Sequence, residues 1–268
     1  MFPHHNKRIS MTNRTIHFVF FSPTGTTRTT LEAIAKGTGC KIGSTVNLTL
    51  GAPLESPGFS EADLVLAGMP VYGGRLPALA VERFKTIAGN GAAVVPVAVY
   101  GNRHYDDCLV ELYDLCQEQG FRPVAAGAFL GEHSFSTAAL RLSAGRPDAA
   151  DLEKAEAFGG QIGNTELGSD QVPGQRPYKE RMQLVGSATS VDAATCTKCG
   201  ACIEVCPTQG MHLTETAAEA DPDNCIWCMA CARACPVQAR LTHDKAKASA
   251  RKLNDLFSKR REPETFLA

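Results

Sequence analysis

Two copies of one cysteine pattern constrain the C-terminal third of the chain more than any other feature. The copies are Cys196-x2-Cys199-x2-Cys202-x3-Cys206-Pro207 and Cys225-x2-Cys228-x2-Cys231-x3-Cys235-Pro236. Together they hold eight of the eleven cysteines. Three thiolates on one tight loop can reach three irons of a cubane [4Fe-4S] cluster, and the fourth thiolate must come from elsewhere in the chain. The doubled pattern therefore indicates two such clusters.

Two other uses of cysteine fit the pattern less well. Zinc sites usually pair two CxxC knuckles across a long gap, whereas each copy here has three closely spaced cysteines, then a fourth followed by proline. Disulfides need an oxidising compartment, and nothing in the sequence indicates export. We therefore favour iron–sulfur clusters over zinc or disulfides.

The segment resembles the bacterial two-cluster ferredoxins, and no ligand is missing. The resemblance implies a small α+β domain over residues 190–242, in which the fourth cysteine of each run binds the other cluster. It assigns cluster I to Cys196, Cys199, Cys202 and Cys235, and cluster II to Cys225, Cys228, Cys231 and Cys206. The chain would then cross between the clusters twice and hold them close together.

Apolar runs alternate with amphipathic stretches in the N-terminal part of the chain. The predicted strands are Thr15 to Phe21, Thr45 to Leu50, Asp63 to Gly68, Ala92 to Tyr100 and Val124 to Leu130. Near-continuous apolar runs are typical of parallel strands covered on both faces. Pro96 interrupts the fourth run, and a bulge or a free edge would accommodate it. The alternation predicts an α/β fold with a doubly wound five-stranded parallel sheet, whose ligand binds beyond the carboxyl ends of the strands.

A hydroxyl-rich turn, Ser22 to Thr27, joins the first strand to the first helix. Backbone N–H groups at a helix start favour an anion, and the hydroxyls can donate to a phosphate. A Ser/Thr cluster before a helix is also often a simple N-cap. The turn resembles the flavodoxin loop Ser/Thr-x-Thr-Gly-x-Thr, which binds the phosphate of FMN. No Gly-Lys-Ser/Thr follows, so an ATP or GTP site is not expected.

The resemblance to flavodoxins covers residues 15–164 and implies FMN, with its ring between the loops after the third and fourth strands. The residues expected to bind it are Ser22, Thr24, Gly25, Thr26, Thr27, Val71, Tyr72, Gly73, Gly74, Arg75, Tyr100, Gly101, Asn102, Arg103, Tyr105 and Asp106. Tyr72, Tyr100 and Tyr105 compete to stack on the ring, because this part of the chain lacks the tryptophan that many flavodoxins use. Arg75 and Arg103 would favour an anionic reduced flavin if they point inward, and would have no such effect on the surface.

Three further segments complete the predicted organisation. Residues 1–14 form an N-terminal extension without the apolar core of a secretory signal, and Met1 or Met11 could be the natural start. Residues 165–189 are a polar linker, and residues 243–268 form a basic amphipathic helix and tail. The basic face is either simply solvated or packs back on the chain and steers an acidic redox partner.

Composition narrows the function classes. The net charge of −1 does not favour a nucleic-acid partner, and no apolar run is long enough to predict a membrane span. Abundant thiols without a signal favour a reducing cytoplasm, and oxygen-sensitive clusters would suit an anaerobe. Cys40, Cys108 and Cys116 are expected to be buried structural thiols. No nucleophile–base pair is apparent.

Taken in order, the two parts resemble flavodoxin–ferredoxin fusion proteins. The fragments Pro70 to Pro77, Gly101 to Arg103 and Gly131 to Ser134 resemble that family specifically. The resemblance implies an electron carrier with FMN and two [4Fe-4S] clusters, which couples one- and two-electron steps for redox partner proteins. Two alternatives stay open: a flavin-dependent reductase of a small acceptor such as a quinone or nitro compound, and a redox sensor.

Overall fold

The computed structural model of the chain describes residues 13–183 and 186–268. Most of the predicted N-terminal extension, including Met1 and Met11, lies outside these ranges. Among the described helices, none combines the length and the apolar character that a membrane crossing requires.

Residues 15–164, the sheet domain, form the predicted parallel sheet. Its strands are β1 (Thr15–Phe20), β2 (Lys41–Asn47), β3 (Asp63–Pro70), β4 (Ala93–Tyr100), β5 (Arg122–Pro123) and β6 (Ala125–Leu130). The order is β2-β1-β3-β4, and the fifth position is shared by the short β5 and by β6; all these pairs are parallel. This order is the flavodoxin-like one, so the predicted α/β fold is confirmed. The second strand lies earlier than predicted and is mostly exposed.

Helices cover both faces of the sheet. They are α1 (Thr26–Thr38), α2 (Ala78–Phe84), α3 (Cys108–Glu118) and α4 (Ala149–Gln161). Leu31 of α1 and Phe158 of α4 belong to one buried core, whereas Phe84 of α2 and Leu112 of α3 belong to the other. Because β1, β3 and β4 are covered on both faces, almost all of their residues are buried. Cys40, Cys108 and Cys116 are buried as expected.

Pro96 lies in the central strand β4 and not at an edge. On one side it pairs in register with Ala67 of β3. On the other side, pairing to the fifth position of the sheet stops at Val94 and resumes at Val97. The irregularity that accommodates a residue without an N–H is therefore the break between β5 and β6 in the neighbouring strand.

Residues 186–242, the cluster domain, contain only short elements. These are β7 (Ser190–Val191), α5 (Ala201–Glu204), β8 (Met211–Leu213), β9 (Ala218–Ala220), α6 (Ala230–Ala234) and β10 (Arg240–Leu241). The strands form two antiparallel pairs, β7 with β10 and β8 with β9. Its core is a small cluster of buried residues, Cys202, Met211, Ala218 and Cys231. So small a core supplies little stability, so that bound metal is expected to contribute to folding.

The chain then returns to the sheet domain. Helix α7 (Asp244–Phe257) is amphipathic as predicted, and it packs back on the chain through Ala246 and Ala250. No strand was predicted in the tail. Instead, β11 (Glu264–Leu267) pairs antiparallel with β6 and adds an edge strand to the sheet. Phe266 packs on one core and Leu267 on the other, because successive strand residues point to opposite faces.

The linker is fastened to α3 by a buried ion pair network. Arg75 donates to both carboxylate oxygens of Glu111, each at 2.8 Å, and Arg181 of the linker donates to the same carboxylate at 2.5 Å. The guanidinium of Arg75 also lies 4.7 Å from the ring centre of Tyr178. The network fixes the path between the two domains.

We expect Glu111→Ala to lower the free energy of unfolding by about 3–5 kcal/mol, because Arg75 would keep a buried charge without its partner. Urea unfolding followed by far-UV circular dichroism measures the change. The control Glu118→Ala removes an exposed carboxylate from the same helix and should change stability by less than about 0.5 kcal/mol. Equal losses in the two variants would contradict this role of the network.

Candidate redox sites

Two small cavities in the cluster domain are each lined by four of the motif cysteines. Cavity I is lined by Cys196, Cys199, Cys202 and Cys235. Cavity II is lined by Cys225, Cys228, Cys231 and Cys206. Each cavity therefore takes three cysteines from one run and the last cysteine of the other run. These are the two sets that the ferredoxin resemblance implies.

The chemistry of these cavities suits clusters better than single ions. None of the eight motif cysteines, all of which are described, forms a disulfide. Within residues 13–183 and 186–268, no three His, Cys, Asp or Glu side chains lie close enough to hold one metal ion. The thiolates of a cubane bind four different irons, so they lie farther apart than the ligands of one zinc ion. The four cysteines around each cavity provide the ligand set of one cubane cluster.

The two cavities differ in burial. Cys228 and Cys231 of cavity II are buried, whereas Cys199 of cavity I is exposed. Burial raises the pKa of the Cys228 thiol, and backbone N–H groups of Ala218 and Lys198 lower the pKa of Cys196. A cluster in cavity II would therefore be shielded by protein, and one in cavity I would be near the surface.

A third cavity, of about 490 Å³, lies at the carboxyl ends of the parallel strands. We call it the large cavity. Its walls come from the loops after β1, β3, β4 and β6, the positions at which a doubly wound sheet binds its ligand. The predicted residues that line it are Ser22, Thr24, Thr26, Thr27, Val71, Tyr72, Gly73, Gly74, Tyr100, Gly101 and Arg103. Most of the sequence-predicted site is thus brought together.

The hydroxyl-rich turn is built to receive an anion. Gly25 is the N-cap of α1 with φ of 86°, a left-handed conformation that glycine adopts without strain, and it supplies no side chain to cap the helix. The Ser22 hydroxyl accepts from the backbone N–H of Arg28 at 3.1 Å. The remaining hydroxyls of Thr24, Thr26 and Thr27 line the cavity beside the start of α1. These features fit a phosphate group.

Five predicted residues do not line the large cavity. Gly25 forms the N-cap of α1. Arg75 is buried against Glu111, so neither of its predicted orientations is correct. Asn102 donates to the backbone oxygens of Phe257 and Lys259, at 2.7 and 2.9 Å.

Tyr105 and Asp106 are the other two predicted residues that do not line the large cavity. The Tyr105 hydroxyl donates to Glu264 at 2.8 Å, so Tyr105 holds the C-terminal strand and is not available for stacking. Asp106 forms ion pairs with Arg103, which lines the cavity, and with Lys179 of the linker. A Cβ atom on Gly74 would lie 2.1 Å from the Asp106 carboxylate, which explains the glycine at that position.

Of the three competing tyrosines, Tyr72 and Tyr100 line the large cavity. Burial raises the pKa of Tyr72, and the neighbouring Cys228 and Cys225 raise it further. Tyr72 therefore lines the large cavity within electrostatic reach of two cysteines of cavity II.

The residues that join the two domains at the large cavity were not predicted from the sequence. Ile226 and Trp227, between Cys225 and Cys228, line it, as do Leu253, Leu256 and Phe257 of α7. Ile226 also lines cavity II. Trp227 contacts Phe135 and His243, with ring centres 6.5 and 4.2 Å apart. An aromatic residue inside a cysteine run, and an amphipathic helix after it, were the available signals.

The loop after β6 brings one titratable ring to the large cavity. Burial, with the nearby charges of Arg233 and Arg103, lowers the pKa of His133 to about 4. Its Nδ1 accepts from the backbone N–H of Phe135 at 3.1 Å, which leaves Nε2 as the protonated nitrogen. His133 therefore offers a neutral hydrogen-bond donor at neutral pH.

A comparison with known protein families identifies the C-terminal part of the chain. Residues 188–236 match the family described as a 4Fe-4S dicluster domain, so the predicted iron–sulfur domain is confirmed. No curated protein matches the chain in sequence at a significant level.

Among solved structures, the flavodoxin of Streptococcus pneumoniae TIGR4 is 19% identical with a TM-score of 0.39, and the similarity covers 54% of this chain and 94% of that one. A flavodoxin from the domain Archaea is 14% identical with a TM-score of 0.35, over 55% and 95%. A WrbA-like flavodoxin from Agrobacterium tumefaciens is 16% identical with a TM-score of 0.38, over 56% and 94%. These similarities are too distant to support an inference about cofactor or activity.

Proposed function

We propose that the chain is an electron carrier that passes electrons between FMN in the large cavity and two [4Fe-4S] clusters in cavities I and II. One observation carries the proposal: Ile226 lines both the large cavity and cavity II. The two candidate redox sites are therefore neighbours that share one lining side chain. Electron transfer between centres needs proximity, and this contact supports it.

The large cavity suits FMN at both ends. The Ser22–Thr27 turn and the start of α1 would hold the phosphate. Tyr72 or Tyr100 would contact the ring, and His133 would donate a hydrogen bond from Nε2. When bound, FMN exchanges electrons in pairs or singly, whereas each cluster exchanges one. The combination would couple one- and two-electron steps.

The positions of the cavities support an order of transfer. The cluster II ligands Cys225 and Cys228 flank the two residues that reach the large cavity. Cluster I lies beyond them, and its ligand Cys199 is exposed. We infer that cluster II exchanges electrons with FMN and that cluster I exchanges electrons with a partner protein. Such a chain would work in a reducing compartment such as the cytoplasm.

The walls of the large cavity favour a carrier over a reductase. Met182 of the linker, Trp227 and three apolar residues of α7 belong to its lining. A hydride donor or a small acceptor would have to pass these side chains to reach the ring. A carrier needs no such access, because its electrons leave through the clusters.

The phosphate site can be tested by comparing FMN with riboflavin, which lacks the phosphate. Thr26→Val removes one hydroxyl at the start of α1, and we expect it to weaken FMN binding about tenfold, since a hydrogen bond to a charged group contributes about 1.5–3 kcal/mol. Riboflavin affinity should not change. Thr38→Val, at the other end of the same helix, should leave both affinities unchanged. Equal weakening of FMN and riboflavin by Thr26→Val would contradict a phosphate contact.

The order of transfer can be tested with variants that lack one cluster. Cys228→Ala should remove cluster II, and Cys199→Ala should remove cluster I; iron analysis establishes which clusters are present. After anaerobic photoreduction of the flavin, we expect Cys199→Ala to show reduction of the remaining cluster by EPR. In Cys228→Ala, cluster I should stay oxidised or react much more slowly. Fast reduction of cluster I without cluster II would contradict the proposed order.

If a cysteine variant fails to fold, Trp227→Ala and Ile226→Ala leave all ligands in place. We expect these variants to retain both clusters and FMN but to change the rate of transfer between them. An unchanged rate in both would show that electrons take another route.

A further inference from the structure

A buried arginine lies between the two cluster cavities without a carboxylate partner. Arg240 is only 6% exposed and lines cavity I. No Asp or Glu among the described residues forms an ion pair with it, in contrast to the equally buried Arg75 and Arg146, which pair with Glu111 and Asp151. A buried charge without a counter-ion is costly, so something else must balance it.

The hydrogen-bond partners of Arg240 are all neutral. Its guanidinium donates to the backbone oxygens of Ala218 and Thr189, at 2.5 and 3.0 Å, and to the Thr189 hydroxyl at 2.5 Å. Its Nε is buried and has no hydrogen-bond partner in the described part of the chain. These contacts fix the orientation of the guanidinium but leave its charge uncompensated.

Thr189 connects Arg240 to the second cavity. Its hydroxyl oxygen lies 3.4 Å from the Cys231 sulfur. A guanidinium only donates hydrogen bonds, so the Thr189 hydroxyl accepts from Arg240 and its own proton is left for the sulfur. Arg240 therefore acts on cavity I directly and on cavity II through one hydroxyl.

We propose that Arg240 is the counter-charge of both iron–sulfur clusters and raises their reduction potentials. Four thiolates give a bound cluster a net negative charge, and each reduction adds one more negative charge without a proton. A fixed positive charge and a hydrogen bond to a ligand sulfur both favour the reduced cluster. Arg240 is a positioning and tuning residue, since it binds no iron.

The inference depends on the proposed function only in requiring that the two clusters are present. It is tested by an EPR-monitored redox titration of the full-length, cluster-loaded protein. We expect Arg240→Met to make both cluster reduction steps at least about tenfold less favourable, which corresponds to about 59 mV for one electron. Arg240→Lys keeps the charge and should shift them less. Arg251→Met, an exposed arginine of α7, should shift neither step.

A second pair of variants isolates the hydroxyl. Thr189→Val should lower the potential of one step only, that of cluster II, whereas Thr189→Ser should behave like the unaltered chain. This pair keeps the test decisive if Arg240→Met loses its clusters. Loss of iron from Arg240→Met but not from Arg240→Lys would support a counter-charge, and equal loss from both would indicate packing alone and overturn it.

The two possible failures are distinguishable. A chain that binds no iron would refute the proposed function. An iron-loaded Arg240→Met variant with unchanged reduction steps would overturn the role of Arg240 alone, as would an equal shift in Arg251→Met.

Discussion

The pairing of β11 with β6 is the contact on which the arrangement of the redox sites depends. A linker that is fixed to α3 connects the sheet domain to the cluster domain. After the cluster domain, the chain continues through α7 to a strand at the edge of the same sheet. A segment tethered at both ends has little freedom to move away. Arg83 adds a direct link, since it donates to the backbone oxygen of Pro207 at 2.7 Å. The loop with Ile226 and Trp227 is thereby held against the large cavity.

The two domains obtain their stability in different ways. The sheet domain has two apolar cores and buried ion pairs, which stabilise it independently of any cofactor contact. The cluster domain buries few side chains, and one of its buried residues, Arg240, carries an unbalanced charge. Cluster binding would supply both the missing cross-links and the missing negative charge. Folding and loading of this domain are therefore expected to be coupled. In the proposed function, the protein would contribute distance and electrostatics and no acid–base chemistry.

Local patterns predicted much of this architecture. The cysteine spacing indicated the three cysteines of each set that share one short loop, and the resemblance to two-cluster ferredoxins implied the fourth, which comes from the other run. Strand–loop–helix alternation gave the sheet and the turn at Ser22–Thr27. Tertiary contacts cannot be predicted from such local patterns. Arg75, Asn102 and Tyr105 lie in or beside the loops that form the large cavity, and their side chains could bind a flavin. Each instead binds a residue distant in sequence: Arg75 binds Glu111, Asn102 binds the backbone oxygen of Lys259, and Tyr105 binds Glu264. The strand at Glu264–Leu267 is too short to predict from four residues, and its pairing with β6 is visible only in the fold.

The central claim is that FMN lies next to cluster II, with Ile226 or Trp227 between them. An anaerobic crystal structure of the loaded protein, with iron located by anomalous scattering, measures this directly. We predict that the irons nearest the flavin ring belong to the cluster bound by Cys225, Cys228, Cys231 and Cys206. A flavin nearer to cluster I, a large cavity that binds no flavin, or zinc at the cysteine sites would contradict the account.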